Sequence, residues 1–306
     1  MQAESQQVIA PAPIPRPRGR VRVRAGYFFM IPAFTILLLF MLGPSLYAVY
    51  TSFTNMALTG FGAASPQWIG TQNFSQIFAD ANFYNALRVS LTYLIGSALI
   101  GQCLLGLLLA MLMQNRRPLF KGIVGSVIVA AWVIPDVVAG FLWAAYLHQD
   151  GFLNSMTALV GLPQKPWLQS NPMAAIIVAN IWRGTAFSML LFSAALEGIP
   201  RELLEAASID GAGLLRRIRH IILPLLAGAI ATDLLLITLQ TLSDFTLVWV
   251  LTGGGPGFKT QLLTIYTYQQ AFKFYQIGYG TAVSLLILAV GAILSLMYIR
   301  VLRVRF

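Results

Sequence analysis

The sequence predicts an all-α, polytopic membrane protein with six transmembrane helices. Of its 306 residues, 58% are hydrophobic and only 10% are charged, and the mean hydropathy is +0.74. Soluble proteins average about 45–50% apolar and about 25% charged residues, so this composition excludes a soluble domain. A membrane-spanning helix needs about 20 mostly apolar residues, and six stretches reach that length. Unbroken apolar runs such as 104–113 exclude a transmembrane β-barrel, whose strands alternate apolar and polar residues.

The first span follows an Arg- and Pro-containing stretch at 1–25, which has few large apolar residues and predicts a disordered basic tail. The span is too long for a signal peptide and lacks a small-residue cleavage site, so it predicts an uncleaved anchor. The membrane domain then covers 26–306. The six predicted spans are Tyr27–Tyr50, Val89–Met113, Ile123–Leu147, Met173–Ala195, Leu225–Val250 and Tyr279–Tyr298.

The distribution of Lys and Arg predicts the orientation of these spans, because cytoplasmic loops carry the excess of basic residues. Most of the 20 basic residues lie in the N-terminal tail, between spans 2 and 3, between spans 4 and 5, and after span 6. All four segments lie on one side of the membrane when both termini are cytoplasmic. The sequence therefore predicts a multi-pass protein of the cytoplasmic membrane with both termini inside and a tail that contacts membrane lipid.

Several functional classes lack the residues that they need. The net charge is +10, but the basic residues lie beside long apolar runs rather than on a water-facing surface, so we expect no nucleic-acid partner. Cys103 is the single cysteine, and His148 and His220 fall on opposite sides of the membrane, so we expect no metal site and no catalytic residues. The segment 253–260 has Phe258 where the last glycine of a P-loop must stand, which excludes a nucleotide site.

Four charged residues fall inside the predicted spans, where each costs at least about 2.5–3.5 kcal/mol to insert. Asp136 and Arg183 lie near mid-depth, and we expect them either to pair or to line a substrate pathway; a purely structural ion pair explains them equally well. Asp244 stands beside two aromatic residues, Phe245 and Trp249. Carboxylates that accept hydrogen bonds from hydroxyls, next to rings that stack on sugar faces, indicate carbohydrate binding. An interfacial aromatic belt is the alternative. The fourth charged residue is Asp233.

The cytoplasmic segment between spans 4 and 5, about 197–224, predicts a short helix, a bend and a second helix. Pro200 suits a first helical turn, and Gly211 permits backbone angles that other residues avoid. Asp210 can cap the helix that follows. A surface that mixes alanine, leucine and isoleucine with charges fits either a groove in another protein or the lipid surface.

This segment resembles the EAA loop of binding-protein-dependent ABC importer permeases, whose pattern is E-A-A, two residues, D-G-A and then I-x-L-P. The family usually has Phe where this chain has Ile218. The residues that match at the expected spacing are Glu205, Ala206, Ala207, Asp210, Gly211, Ala212, Ile221, Leu223 and Pro224. Further stretches at 68–74, 182–187 and 251–256 look like the family's outer-loop, fourth-helix and T-x-G-G-P elements, the last typical of the sugar branch with MalF-, LacF- and UgpA-like members.

The resemblance implies the type I ABC importer permease fold, with a shared core at about 86–299. It implies a carbohydrate or polyol importer in which this chain binds no cofactor and ATP and Mg are bound by a separate dimeric nucleotide-binding ATPase. It also implies a second, MalG-like permease subunit and an extracytoplasmic solute-binding protein. ATPase coupling would fall to Glu205, Ala206, Ala207, Asp210, Gly211, Ala212, Leu215 and Ile218. An ion-coupled secondary transporter or channel that uses Asp136 and Asp233 is the alternative function, and a membrane scaffold is a third.

Overall fold

The structure, a computed structural model, describes residues 22–114 and 116–302. Two compact units divide the chain, residues 1–48 and 49–306. A helix Arg22–Leu37 continues through a π-helical stretch, Leu38–Leu42, into Gly43–Ser52, and we call residues 22–52 α1; its last four residues belong to the second unit. From Phe29 to Tyr50, the large apolar side chains of α1 are exposed, as expected for a helix in lipid. Positions 1–21 of the predicted tail lie outside the described residues, and positions 22–25 belong to α1.

In the described residues of the second unit, the regular secondary structure is helical, apart from one isolated β-bridge between Thr54 and Trp68. Its first two helices are α2 (Phe61–Ala64) and α3 (Gln72–Ala79). The remaining helices are α4 (Ala81–Met113), α5 (Pro118–Val133), α6 (Asp136–Leu147), α7 (Phe152–Leu159), α8 (Trp167–Ser170), α9 (Pro172–Glu197), α10 (Arg201–Ile209), α11 (Leu214–Leu225), α12 (Ala227–Leu242), α13 (Thr246–Thr252), α14 (Leu263–Tyr268 with a π-helical turn Gln269–Lys273) and α15 (Ile277–Val301).

Among the described residues, four helices are long and apolar enough to cross a membrane, and the total reaches six when each of two bent helix pairs counts as one span. The third span is not the single helix that the sequence predicts, because α5 and α6 meet at a bend of 102°. Pro135 causes the break: it disfavours the helical conformation at Ile134, which is extended at φ −61° and ψ 128°. Asp136 is therefore the first residue of a new helix and not the middle of a long one.

The fifth predicted span is also interrupted. Leu214–Leu225 and Ala227–Leu242 form a pair bent by 70°, and the predicted span at 225–250 then breaks at 243–245 between α12 and α13. The Thr264 hydroxyl donates a hydrogen bond of 2.6 Å to the Asp244 backbone carbonyl and satisfies one backbone group freed by the break. A continuous apolar pattern predicts a continuous helix, whereas at 243–245 a polar tertiary contact takes the place of a helical hydrogen bond.

Helices α4, α9 and α12 form the main core, which small residues allow to pack closely. A Cβ at Gly106 would lie 2.4 Å from the Ser188 Cβ, so α4 and α9 touch there through glycine. A second buried cluster joins α13 to α6 and α9, and a third joins α3 and α4 to α14 and α15. These three clusters hold the broken helices in place around the polar cavity described below.

The segment between α1 and α4 is held to its neighbours by hydrogen bonds. The Asn73 amide donates to the carbonyls of Ser52 at 2.8 Å and Thr54 at 2.9 Å. On α14, the Tyr266 hydroxyl donates to the Asp80 carboxylate at 2.6 Å. Burial raises the pKa of Tyr266, and the Asp80 contact raises it further, so the hydroxyl keeps the proton that it donates.

Candidate functional site

A polar cavity of about 370 Å³ lies where the two interrupted spans meet α4 and α9. Most of its lining side chains are polar, although the surrounding helices are apolar. Irregular backbone inside a membrane protein is tolerated where it lines such a cavity. The lining residues are Gln102, Trp132, Asp136, Asn180, Arg183, Gly184, Gln240, Thr241, Ser243, Asp244, Phe245 and Thr246.

One wall of the cavity carries an ion pair between Asp136 and Arg183. An Arg183 guanidinium Nη2 contacts the Asp136 carboxylate oxygen Oδ1, and the two side chains are 26% and 35% exposed, respectively. The pairing offsets the cost of placing either charge inside the membrane. The Arg183 Nε atom is buried and has no hydrogen-bond partner among the described residues, so this group retains a donor. Pairing and cavity lining, which the sequence left as alternatives, occur together here.

Asp244 also lines the cavity and is 9% exposed. The Tyr93 hydroxyl donates a 2.5 Å hydrogen bond to Asp244 Oδ2 and fixes the carboxylate. The Asp244 side chain thus adds a second carboxylate, besides that of Asp136, to the cavity lining.

A chain of hydrogen bonds connects two cavity-lining residues, Gln102 and Asn180, with their neighbours on α4. The Gln102 amide donates to the Asn180 carbonyl at 3.1 Å, and the Asn180 amide donates to Ser97 Oγ at 2.9 Å. Ser97 in turn donates to the Tyr93 carbonyl at 2.7 Å. Gly184 leaves room for Gln102, because a Cβ there would lie 2.3 Å from that side chain. These amide and hydroxyl groups hold α4 and α9 in register beside the charged residues of the cavity.

Phe245 adds a ring to the lining, and Trp249 stacks on it with a centroid separation of 5.4 Å and an interplanar angle of 16°. Trp249 is not among the cavity-lining residues; it packs behind Phe245. The cavity thus combines carboxylate acceptors, guanidinium and amide donors and a ring face. Such a combination suits a polyhydroxylated molecule, whose hydroxyls donate and accept hydrogen bonds while its C–H face packs on a ring.

The sequence reasoning missed Tyr93, Gln102, Asn180 and Gln240 as site residues. Glutamine and asparagine inside apolar spans are costly when unpartnered, and this was the signal that could have found three of the four. Tyr93 gave no such signal.

Asp233, which the sequence singled out, is fully buried in the core beside Ser188 and Cys103, away from the cavity lining.

The bend at Gly211 ends α10 in a Schellman motif. The Ala212 N–H donates to the Ala207 carbonyl at 2.9 Å, and the Gly211 N–H donates to the Ser208 carbonyl at 3.1 Å. Gly211 has φ +77°, the left-handed conformation that glycine adopts without strain. The sequence predicted that Asp210 caps the following helix, and this is wrong: Asp210 is the C-cap of α10, and Gly213 is the N-cap of α11.

The side chains around this bend differ in exposure. Glu205, Ala206 and Asp210 are exposed, and Leu215 is 77% exposed. Ile218 is partly buried and packs against the core cluster of α4, α9 and α12. Ala207 and Ala212 are half-buried at the motif itself. One face of α10 and α11 is therefore exposed at the bend, and the other face packs against the core cluster of α4, α9 and α12.

A surface ion pair flanks the bend. Lys121 Nζ at the start of α5 lies 3.1 Å from Glu197 Oε1 at the end of α9, and the two side chains are 37% and 67% exposed. This contact links the start of α5 to the end of α9, just before α10 begins.

Comparison with known proteins places the chain in a family. The profile described as "Binding-protein-dependent transport system inner membrane component" matches residues 102–303. The chain is 31% identical to the sulfoquinovosyl glycerol transport system permease protein SmoG of Agrobacterium fabrum, over 90% of this chain and 89% of that protein. It is 29% identical to the trehalose/maltose transport system permease protein MalF of Thermococcus litoralis, over 92% and 94% of the two chains.

A chain in the crystal structure of a bacterial alginate ABC transporter, in complex with alginate pentasaccharide-bound periplasmic protein, has the same fold. The TM-score is 0.76 at 22% identity, and the alignment covers 90% of this chain and 93% of that chain. The fold and the family expected from the loop at 197–224 are thus confirmed. The chain belongs to the family of binding-protein-dependent transport system inner membrane components, and it is a membrane-spanning transport component.

Proposed function

We propose that this chain is a permease subunit of an ATP-driven importer that moves a carbohydrate or related polyol across the cytoplasmic membrane. The observation that carries the proposal is the polar cavity, whose lining combines the Asp244 carboxylate, the Arg183 guanidinium and the Phe245 ring. Named relatives that transport trehalose/maltose and sulfoquinovosyl glycerol support the same substrate class.

Energy for transport comes from a partner, a dimeric nucleotide-binding ATPase that holds ATP and Mg. The exposed face of α10 and α11 receives this ATPase on the cytoplasmic side, through Glu205, Ala206 and Leu215. The angle between the two helices is kept fixed by Gly211 and by the half-buried Ala207 and Ala212. Movement of the ATPase is therefore transmitted to the core through Ile218. Asp210 and Gly211 set the turn that makes this transmission rigid.

Two further partners complete the importer. A second, MalG-like permease subunit closes the translocation pathway, and an extracytoplasmic solute-binding protein delivers the sugar to the outer loops. Both termini face the cytoplasm, which puts the basic ends and the α10–α11 bend on the same side as the ATPase.

The test is purification of the tagged chain in mild detergent at its native expression level, followed by mass spectrometry of the copurifying proteins. The proposal expects a nucleotide-binding ATPase and a second permease of similar span number. The Gly211→Val variant should lose the ATPase but keep the second permease, and Gly213→Ala should keep both. Recovery of the chain alone, with uptake that needs no ATP, would contradict the proposal.

That outcome would favour the ion-coupled alternative, in which Asp136 and Asp233 bind protons or cations. The geometry gives this alternative less support, because Asp136 contacts Arg183 and Asp233 lies in the core away from the cavity lining. Uptake that stops with a protonophore while ATP remains present would establish it.

A further inference from the structure

Four aromatic side chains form a continuous series that begins at the central cavity and ends at an exposed ring. Phe245 lines the cavity and stacks on Trp249 at 5.4 Å between centroids. Tyr268 on α14 contacts both rings, each at 5.2 Å, and Phe272 follows at 5.5 Å from Tyr268. Every consecutive pair is within the 4.5–7 Å range of ring contact. We refer to these four residues as the aromatic series.

Exposure increases along the aromatic series. Phe245, Trp249 and Tyr268 are half-buried, whereas Phe272 is 55% exposed. Lys273, next to Phe272 in the chain, places its Nζ 4.9 Å from the centre of the Trp249 ring. A cation over the tryptophan face keeps that ring oriented and adds a hydrogen-bond donor beside it. The series thus leads from an outer-side helix to the cavity wall without a gap between rings.

We propose that the aromatic series is an outer saccharide-binding subsite that passes a sugar ring from the outer surface to the central cavity. The inference rests on the proposed function. Pyranose rings have an apolar C–H face that packs on aromatic rings and hydroxyl edges that accept hydrogen bonds from a group such as the Lys273 ammonium. An open-chain polyol has the hydroxyls without the flat face. The subsite therefore takes ring-bearing saccharides in preference to open-chain polyols.

A belt of aromatic residues at the membrane interface is the competing explanation, and it makes a different prediction. A belt contributes to membrane anchoring, so its loss affects every solute equally. A sugar subsite affects ring-bearing solutes selectively. Phe152 provides a matched control, since it is 61% exposed, lies on another outer-side helix and contacts Tyr146 at 5.8 Å, outside the aromatic series.

The experiment titrates the purified importer complex with trehalose, maltose and sorbitol while following intrinsic tryptophan emission. Trehalose and maltose should change the emission of the wild type, and sorbitol should change it less. Trp249→Phe should make the disaccharide-induced change smaller, and the remaining change comes from Trp132 in the cavity lining. Tyr268→Ala and Phe272→Ala should weaken the apparent affinity for the disaccharides at least threefold and raise the KM of uptake by a similar factor. Phe152→Ala should behave as the wild type.

Two results would overturn the subsite. One is a disaccharide-induced emission change that keeps its full wild-type size in Trp249→Phe; the other is wild-type affinity in both Tyr268→Ala and Phe272→Ala. In either case ATP-dependent uptake of trehalose or maltose by the wild type would leave the importer function intact. Absence of ATP-dependent uptake of any of these solutes would instead contradict the proposed function on which the subsite rests.

Discussion

The α10–α11 bend and the central cavity are built in opposite ways. The bend is local: its two Schellman hydrogen bonds and the positive φ of Gly211 all lie within residues 207–212. The cavity is assembled from residues about 150 positions apart, such as Tyr93 and Asp244. A local motif depends on backbone conformation at one position, whereas a distributed site depends on the packing of several helices. The two regions should therefore respond differently to substitution.

The largest effect is expected at the bend. Gly211→Val places a β-branched residue at φ +77°, which costs about 1–2 kcal/mol of backbone strain or more and redirects α11. ATP-dependent sugar uptake should fall at least about tenfold, with normal membrane insertion. Open space surrounds the Cβ position, so sterics do not explain the loss.

Gly213→Ala is the matched control for this variant. Its φ of −63° suits any residue, and its Cβ position is also open. Uptake should stay within about twofold of the wild type. Equal losses in the two glycine variants would show that the loop tolerates no side chain for another reason, and would contradict the backbone explanation.

The second effect tests whether the cavity depends on its ion pair. Arg183→Ala leaves the Asp136 carboxylate unpaired inside the membrane region, and uptake should fall about tenfold. Asp136→Asn combined with Arg183→Gln removes both charges and should recover part of the loss. A double-mutant cycle on uptake should give a coupling of about 1–3 kcal/mol between the two positions. Additive effects would mean that the two side chains act independently.

A smaller effect is expected at Tyr93. Tyr93→Phe removes the hydroxyl that holds Asp244 Oδ2 and keeps the ring that packs in the core. A hydrogen bond to a charged group contributes about 1.5–3 kcal/mol, and part of this is recovered when Asp244 reorients. We expect the KM of uptake to rise about threefold to tenfold with unchanged protein level. Tyr146→Phe, outside the cavity, should leave KM unchanged; an equal rise there would contradict a positioning role for Tyr93.

The smallest effect is expected at the surface ion pair beside the bend. Lys121→Ala breaks the contact with Glu197, and exposed pairs contribute about 0–1 kcal/mol. Uptake should remain within about twofold of the wild type, and raising the salt concentration should change the wild type little. A tenfold loss in Lys121→Ala would place this pair in the coupling surface, which would extend that surface beyond the α10–α11 bend.

The same difference explains what the sequence could and could not predict. The bend could be predicted because Glu205, Gly211 and their neighbours form one continuous sequence motif. The helical membrane class follows from composition. Asp136 and Arg183 were identified because charge is conspicuous in an apolar span. Tyr93 was missed because its role depends on Asp244, 151 residues away in sequence.

The interruptions of the third and fifth spans show a related limit. Hydropathy measures how apolar a stretch is, and the residues around Ile134 and Ser243 are apolar enough to continue a helix. The break at Ile134 has a local cause in Pro135, which the sequence displayed but the span assignment did not use. The break at 243–245 is held by the Thr264 contact to Asp244, which no local pattern indicates.

The central claim is that a partner ATPase, acting through the α10–α11 bend, drives a sugar through the polar cavity. The most direct measurement is uptake of radiolabelled trehalose and maltose by proteoliposomes that contain the copurified complex and the solute-binding protein, with and without internal ATP. The account predicts uptake that requires ATP, survives a protonophore and is lost in Gly211→Val but not in Gly213→Ala. Uptake that proceeds without ATP, or that a protonophore abolishes, would contradict it.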